Sequence, residues 1–202
     1  MVDFFVQGGG FMWPILIALL FGLAIIGERA YSLINSSSDT DQFFEEVKTI
    51  YSDSGREQAI EFCENSPGPV ASIFYAGLSK MEKTKEDVEK AVQNAGGLEM
   101  AFLEKNMIWI NSVITISPML GFTGTVVGMI KAFEDIKMAN DISPAVVAGG
   151  ISQALLTTAF GLIVAMIMQV AQNFFVSMID KLILDMEEQS IKIVEYLHST
   201  KK

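Results

Sequence analysis

The chain has 202 residues, half of them hydrophobic, with a mean hydropathy of +0.39 and a net charge of −10. Acidic balance without a basic cluster excludes a nucleic-acid binder. One cysteine, Cys63, excludes an internal disulfide, and one histidine, His198, leaves no Cys/His set for zinc or haem. Lone Cys63 reads as a small buried hydrophobe. No nucleophile–base pair, phosphate-cradling loop or metal-ligand cluster points to an enzyme.

Three stretches carry no charged residue: 4–27, 106–130 and 142–179. About 20 apolar residues cross a bilayer as a helix, so each is long enough to be a span. The first has no Lys or Arg before Arg29, so it lacks the basic leader of a signal peptide and is expected to be a true span. Twelve of the 14 basic residues lie in 28–105 or in the tail from Asp180, and basic residues mark the cytoplasmic side. The expectation is an all-α integral membrane protein of three transmembrane helices, N-terminus outside and C-terminus inside. Spans two and three should carry long cytoplasmic extensions.

In chain order, residues 1–10 are an external segment and 11–34 the first transmembrane helix. Pro14 fits its first turn and Trp13 an interfacial anchor. Ser36–Asp39 reads as a turn that opens the cytoplasmic helical region, 35–105. There Phe43, Phe44, Val47, Ile50 and Tyr51 recur at helical spacing up to a break at Ser52–Gly55. Ser54 with Glu57 resembles a capping box and opens a short helix that Pro67–Pro69 stops. Val70, Ile73, Phe74, Gly77, Leu78 and Met81 make the next apolar face. Thr84 with Asp87 opens the last helix, whose stripe of Val88, Ala91, Val92, Ala95, Leu98 and Phe102 predicts one continuous helix into span two, 106–130. A short external link, 131–143, leads to span three, 144–179. At ~1.5 Å per residue, the uncharged third stretch is longer than a bilayer core of ~30 Å and has to project into water, near Gln169, Gln172, Asn173 and Ser177. The cytoplasmic tail, 180–202, puts Leu182, Ile183, Met186, Ile193, Val194 and Leu197 on one side. That side needs cover, from the loop helices or from a neighbouring subunit.

The polar residues within spans two and three carry the functional information. Thr115, Thr123, Thr125, Thr157, Thr158 and Gln153 lie at membrane depth, where hydrocarbon penalises unpaired polar groups and directs them to other helices or a water-lined path. Gly121, Gly124 and Gly128 leave one side of span two smooth for close helix approach. Pro118 frees the carbonyl of Ile114 and gives the helix a place to bend. Gln153 and Thr157 share a face of span three, and Thr158 points about 100° from Thr157. Gly161 and its small neighbours Ala154, Ala159 and Ala165 again suit tight packing. Judged on these residues alone, packing is a sufficient explanation for all of them. Neither stretch contains a titratable side chain, so a proton relay through them needs a group from another chain.

The stretches Leu120–Phe133 (L-G-F-T-G-T-V-V-G-M-I-K-A-F) and Ile151–Ala165 (I-S-Q-A-L-L-T-T-A-F-G-L-I-V-A) follow one another on adjacent spans. In this they resemble the MotA/TolQ/ExbB family of ion-driven motor subunits, most of all its three-span ExbB and TolQ members. The Gly27-Glu28-Arg29 exit of span one is a weaker match. The resemblance implies a homopentamer in the bacterial inner membrane around two copies of a single-span ExbD/TolR-type partner, with lipid outside. The partner supplies a membrane aspartate, Thr125 and Thr158 line the ion path, and a polar residue at Asn173 lies towards its cytoplasmic end. Thr157 and Gln153 are further candidates for the path. No cofactor is implied beyond the transported ion, proton or sodium. Many relatives carry Glu where this chain has Gln153, and an amide cannot titrate. Two other functions are open on sequence: a flagellar or gliding stator subunit, usually of four spans in the flagellar case, and a non-conducting membrane scaffold.

Overall fold

The computed structural model describes residues 2–36, 39–139 and 144–200. Among these residues the chain is all-helical, with eight helices and no strand. Three helical stretches, Met12–Ser36, Lys85–Met138 and Val147–Ser199, contain windows long and apolar enough to cross a membrane. Large apolar side chains point outward along them, among them Ile17, Leu20, Phe122, Leu155, Met166 and Val170. Such a surface needs lipid or protein around it. The chain divides into two compact units, Met1–Glu28 with Asn106–Phe174, and Arg29–Lys105 with Phe175–Lys202.

The first unit holds α1 (Val2–Gln7), the main part of α2 (Met12–Ser36), α7 (Met107–Ala139) and the first half of α8 (Pro144–Thr200). Its core is Met12 and Ile15 of α2, Ile110 and Val113 of α7, and Ala154, Val164 and Met168 of α8. Gly22 of α2 makes room for Met168, whose Sδ lies 2.5 Å from where a Cβ would stand. Short α1 is an addition to the expected external segment. It is joined to α2 by the glycine turn Gly8–Gly10, closed by Gly8 N–H to Phe4 O (3.0 Å) and Met12 N–H to Gly9 O (3.2 Å). Phe5 meets Trp13 edge to face at 5.4 Å.

The second unit gathers α3 (Thr40–Ser54), α4 (Arg56–Asn65), α5 (Pro69–Lys80) and α6 (Lys85–Leu103) against the second half of α8. Asp39 caps α3 by accepting from Gln42 N–H. Thr84 and Asp87 form the full reciprocal capping box expected for α6. Core positions include Val47, Cys63, Ile73, Phe74, Leu78, Val88 and Val92, and from α8 Leu182, Met186, Ile193, Val194 and Leu197. The tail face therefore has its cover within this chain: a Cβ at Gly77 would stand 3.4 Å from Leu197 and 3.8 Å from Ile193.

Five expectations are corrected. Helix α3 runs through Ser52–Ser54, and the break is Gly55 alone, at φ +87°. A left-handed backbone there favours glycine, and α4 starts with no side-chain cap, so Ser54 and Glu57 are not a capping box. The predicted continuous helix is interrupted at Glu104–Asn106, where Asn106 takes φ +65°, a conformation its short side chain tolerates. On the final turns of α6, Leu98 and Phe102 are exposed rather than part of the core. Helix α7 passes Ile130 and continues through Lys131–Lys137 to Ala139, so most of the presumed link is helical. Its remainder, Asn140–Ser143, lies outside the described residues, as do Ser37 and Ser38 of the first turn.

The hydroxyl cluster between the second and third spans

Helices α7 and α8 meet through residues with little or no side chain. A Cβ at Gly121 would stand 2.9 Å from the Thr157 carbonyl, and one at Gly128 would stand 3.2 Å from the Ala154 Cβ. One at Gly161 would stand 2.5 Å from the Ser117 carbonyl. Positions rising along α7 thus meet positions falling along α8, and the seam is antiparallel. Pro118 sits inside α7, beside the Ser117 carbonyl that Gly161 faces, and the helix continues through it. Gly150 and Ala132 extend the seam: a Cβ at Gly150 would stand 2.3 Å from that of Ala132.

This close approach brings three hydroxyls together. Thr125 of α7 and Thr158 of α8 are hydrogen-bonded to each other. The Ala154 carbonyl lies 3.0 Å from the Thr125 Oγ1 and 2.8 Å from that of Thr157. The Gly121 carbonyl lies 3.1 Å from the Thr158 hydroxyl and 3.3 Å from those of Thr125 and Thr157. Each hydroxyl has one proton to donate and two lone pairs, so the cluster is fully satisfied and still rich in acceptors. It can hold a hydrogen-bond donor, such as a protonated carboxyl, or a small cation.

The two adjacent threonines of α8 are separated by their surroundings. Thr157 is fully buried in the helix seam, where Gly124 leaves space for its hydroxyl. Thr158 is part-buried and pairs with part-buried Thr125. Gln153 is not brought to the hydroxyls. Its amide lies against the glycine turn before α2, with Nε2 2.1 Å from where a Gly9 Cβ would stand. Asn173 is exposed further along α8 and accepts from Gln169 Nε2 at 2.9 Å. Thr115 and Thr123 differ from the expectation that membrane threonines face other helices. Both are exposed and donate to their own helix, to Asn111 O (3.0 Å) and Met119 O (2.8 Å), which satisfies the hydroxyl locally.

Sequence reading missed the carbonyl acceptors of Gly121 and Ala154. The signal was the small residue itself: where a side chain is absent, the neighbouring helix reaches the backbone. It also missed buried Arg29, which donates to the Phe102 carbonyl at 3.4 Å. The Gly27-Glu28-Arg29 motif gave a position but no partner.

Three stretches long and apolar enough to span a bilayer, exposing apolar side chains outward, with the second and third meeting along a glycine-sealed antiparallel seam, are those of a multi-pass membrane protein. The chain belongs to the MotA/TolQ/ExbB proton channel family, whose model matches residues 65–188. It is 28% identical over 173 residues to the ExbB-like 3 protein of Synechocystis sp., covering 85% of this chain and 82% of the relative. It is 27% identical over 180 residues to an ExbB homologue of Methanothermobacter thermautotrophicus, covering 89% of this chain and 64% of that one. With the Tol-Pal system protein TolQ of Pseudomonas aeruginosa it shares 30% identity over 125 residues, 55% of this chain and 54% of TolQ. The chain therefore spans most of the first relative and under two thirds of the other two.

Proposed function

We propose that this chain is the ion-conducting motor subunit of an inner-membrane complex of the ExbB–ExbD or TolQ–TolR kind, working as a homopentamer around two single-span partners. The observation that carries this reading is the Thr125–Thr158 pair, set among backbone carbonyls in two spans without a titratable residue. Such a wall can receive a proton carrier and cannot be one. The carboxylate that takes the ion is then the partner's. Neutralised, it tolerates the apolar lining; charged, it seeks the hydroxyls. Cycling between the two states drives relative rotation. One elementary charge crossing 100 mV supplies ~2.3 kcal/mol, so several ions serve each large mechanical step on an envelope target.

The basic residues of 28–105 and of the tail favour a cytoplasmic placement for both, with the N-terminus outside. Beyond its hydrocarbon-spanning part, α8 then extends into the cytoplasm. The transported ion is a proton in this reading, and no resident cofactor is needed.

The test is ion flux in proteoliposomes holding this chain with and without its single-span partner. Partner-dependent proton uptake, lost when the partner's membrane carboxylate is replaced, is the expected result. Uptake driven by sodium alone would change the ion. An assembled complex without flux, also after removal of the partner's external domain, would leave a scaffold.

A further inference from the structure

We infer that α1 and the glycine turn after it form a movable strap whose seat is Gln153, closing the outer end of α8 about one turn from the Thr125–Thr158 pair and lifting to admit ions. The inference rests on the conducting reading above and adds a gate to it.

The seat is specific. Gly9 has a left-handed backbone, φ +73°, and its missing Cβ is the space that the Gln153 amide fills, 2.1 Å from the Cβ position. Gly8 beside it is buried on Met12, itself buried. The neighbouring glycine has no such role: nothing among the described residues lies within 4 Å of a Cβ at Gly10. Hydrogen bonds tie the turn to both helices, from Gly8 N–H back to Phe4 O and from Trp13 N–H to Gly10 O. With Phe5 on the Trp13 ring, α1 moves with the turn as one piece.

The strap is also lightly held. Helix α1 is six residues long, too short to be stable by itself. Its Phe4 and Val6 are exposed, at 53% and 72%. A specific seat with little buried area is what a segment needs if it is to open and close at small cost. Gln153 is thereby a positioning residue: its amide receives the turn and does not reach the hydroxyls.

Gly9→Ala strains the left-handed backbone and crowds the amide, so it lifts the strap, while Gly10→Ala is the matched control. Two readouts separate the strap from the conduction it is meant to gate. In the first, Met12→Cys, at the buried position that packs on Gly8, is labelled with a hydrophilic maleimide with Gln153 intact, alone and combined with each alanine variant; the wild-type chain, with Cys63 buried, is the blank. In the second, partner-dependent flux is measured for Gly9→Ala and Gly10→Ala with Gln153 intact. Gly9→Ala should raise both the labelling rate and the flux by about fivefold or more, with Gly10→Ala near the parent. Labelling that ignores Gly9→Ala overturns the strap whatever the flux. Labelling that responds beside an unchanged, measurable flux overturns the gate and leaves conduction standing. Absence of flux in the wild-type complex sinks the conducting reading, and the gate with it.

Discussion

Gly124 and Thr157 meet so closely that a methyl group on the glycine would stand 2.6 Å from the threonine hydroxyl. This contact sets the separation of α7 and α8, and so the distance at which Thr125 finds Thr158. Gly124→Leu drives the helices apart or forces strained rotamers, at a cost of about 1–3 kcal/mol. Thermal unfolding in mild detergent should show the loss. Gly27→Ala, with nothing among the described residues within 4 Å of its Cβ position, should melt like the parent.

Thr125→Val and Thr158→Val remove a hydroxyl at little cost in volume. The surviving threonine keeps a carbonyl within reach, Gly121 for Thr158 and Ala154 for Thr125, so assembly should persist. A hydrogen bond to a charged or protonating group contributes about 1.5–3 kcal/mol. Partner-dependent flux should therefore fall about tenfold or more in each variant. Thr123→Val, which removes an exposed hydroxyl bonded within α7, should leave flux near the parent value. Equal flux in all three would remove the cluster from the path.

The second unit should lose stability on the acid side through Asp41. Hydrogen bonds from Lys192 (2.7 Å) and Gln189 (2.8 Å) hold its carboxyl below the ordinary value of 3.8. A depressed folded value means stability that is present above 3.8 and lost as pH falls through the folded value. The same contact raises Lys192 above 10.5, so its share is complete below 10.5 and lost as pH rises through the raised value. Protection of α3 amides against hydrogen exchange, taken relative to the intrinsic rate at each pH, should fall below about pH 4, and Asp41→Asn should flatten that dependence.

Cys63 should be chemically silent. Burial pushes its thiol up to about 12, and the thiolate is the reactive form. A thiol reagent at pH 8 should modify it only after denaturation. Rapid labelling of the folded chain would show that α4 opens locally.

What was legible in the sequence follows the strength of each local signal. The Thr84–Asp87 box could be read because both of its bonds lie within one turn. The three long apolar stretches could be read because bilayer thickness imposes a length. The α6–α7 interruption could not, since one asparagine at φ +65° is all that marks it and Gly96-Gly97 is the more obvious breaker. Both of those glycines are helical. Sequence periodicity gave Thr157 and Thr158 different directions without saying which met Thr125. That depended on the register of α7 against α8, which Gly121, Gly124 and Gly161 set together. Gln153 was grouped with the hydroxyls through its shared face with Thr157, yet a turn from the N-terminus reaches it first.

The seam between Ser117 and Gly161 has a mechanical side. With a backbone carbonyl 2.5 Å from where a Cβ would stand, almost nothing soft separates the two helices. Close-packed protein has low compressibility, and here even flexible side chains are missing from the joint. The two helices behave as one stiff spar. A sideways push on one is delivered to the other with little lost to rotamer changes.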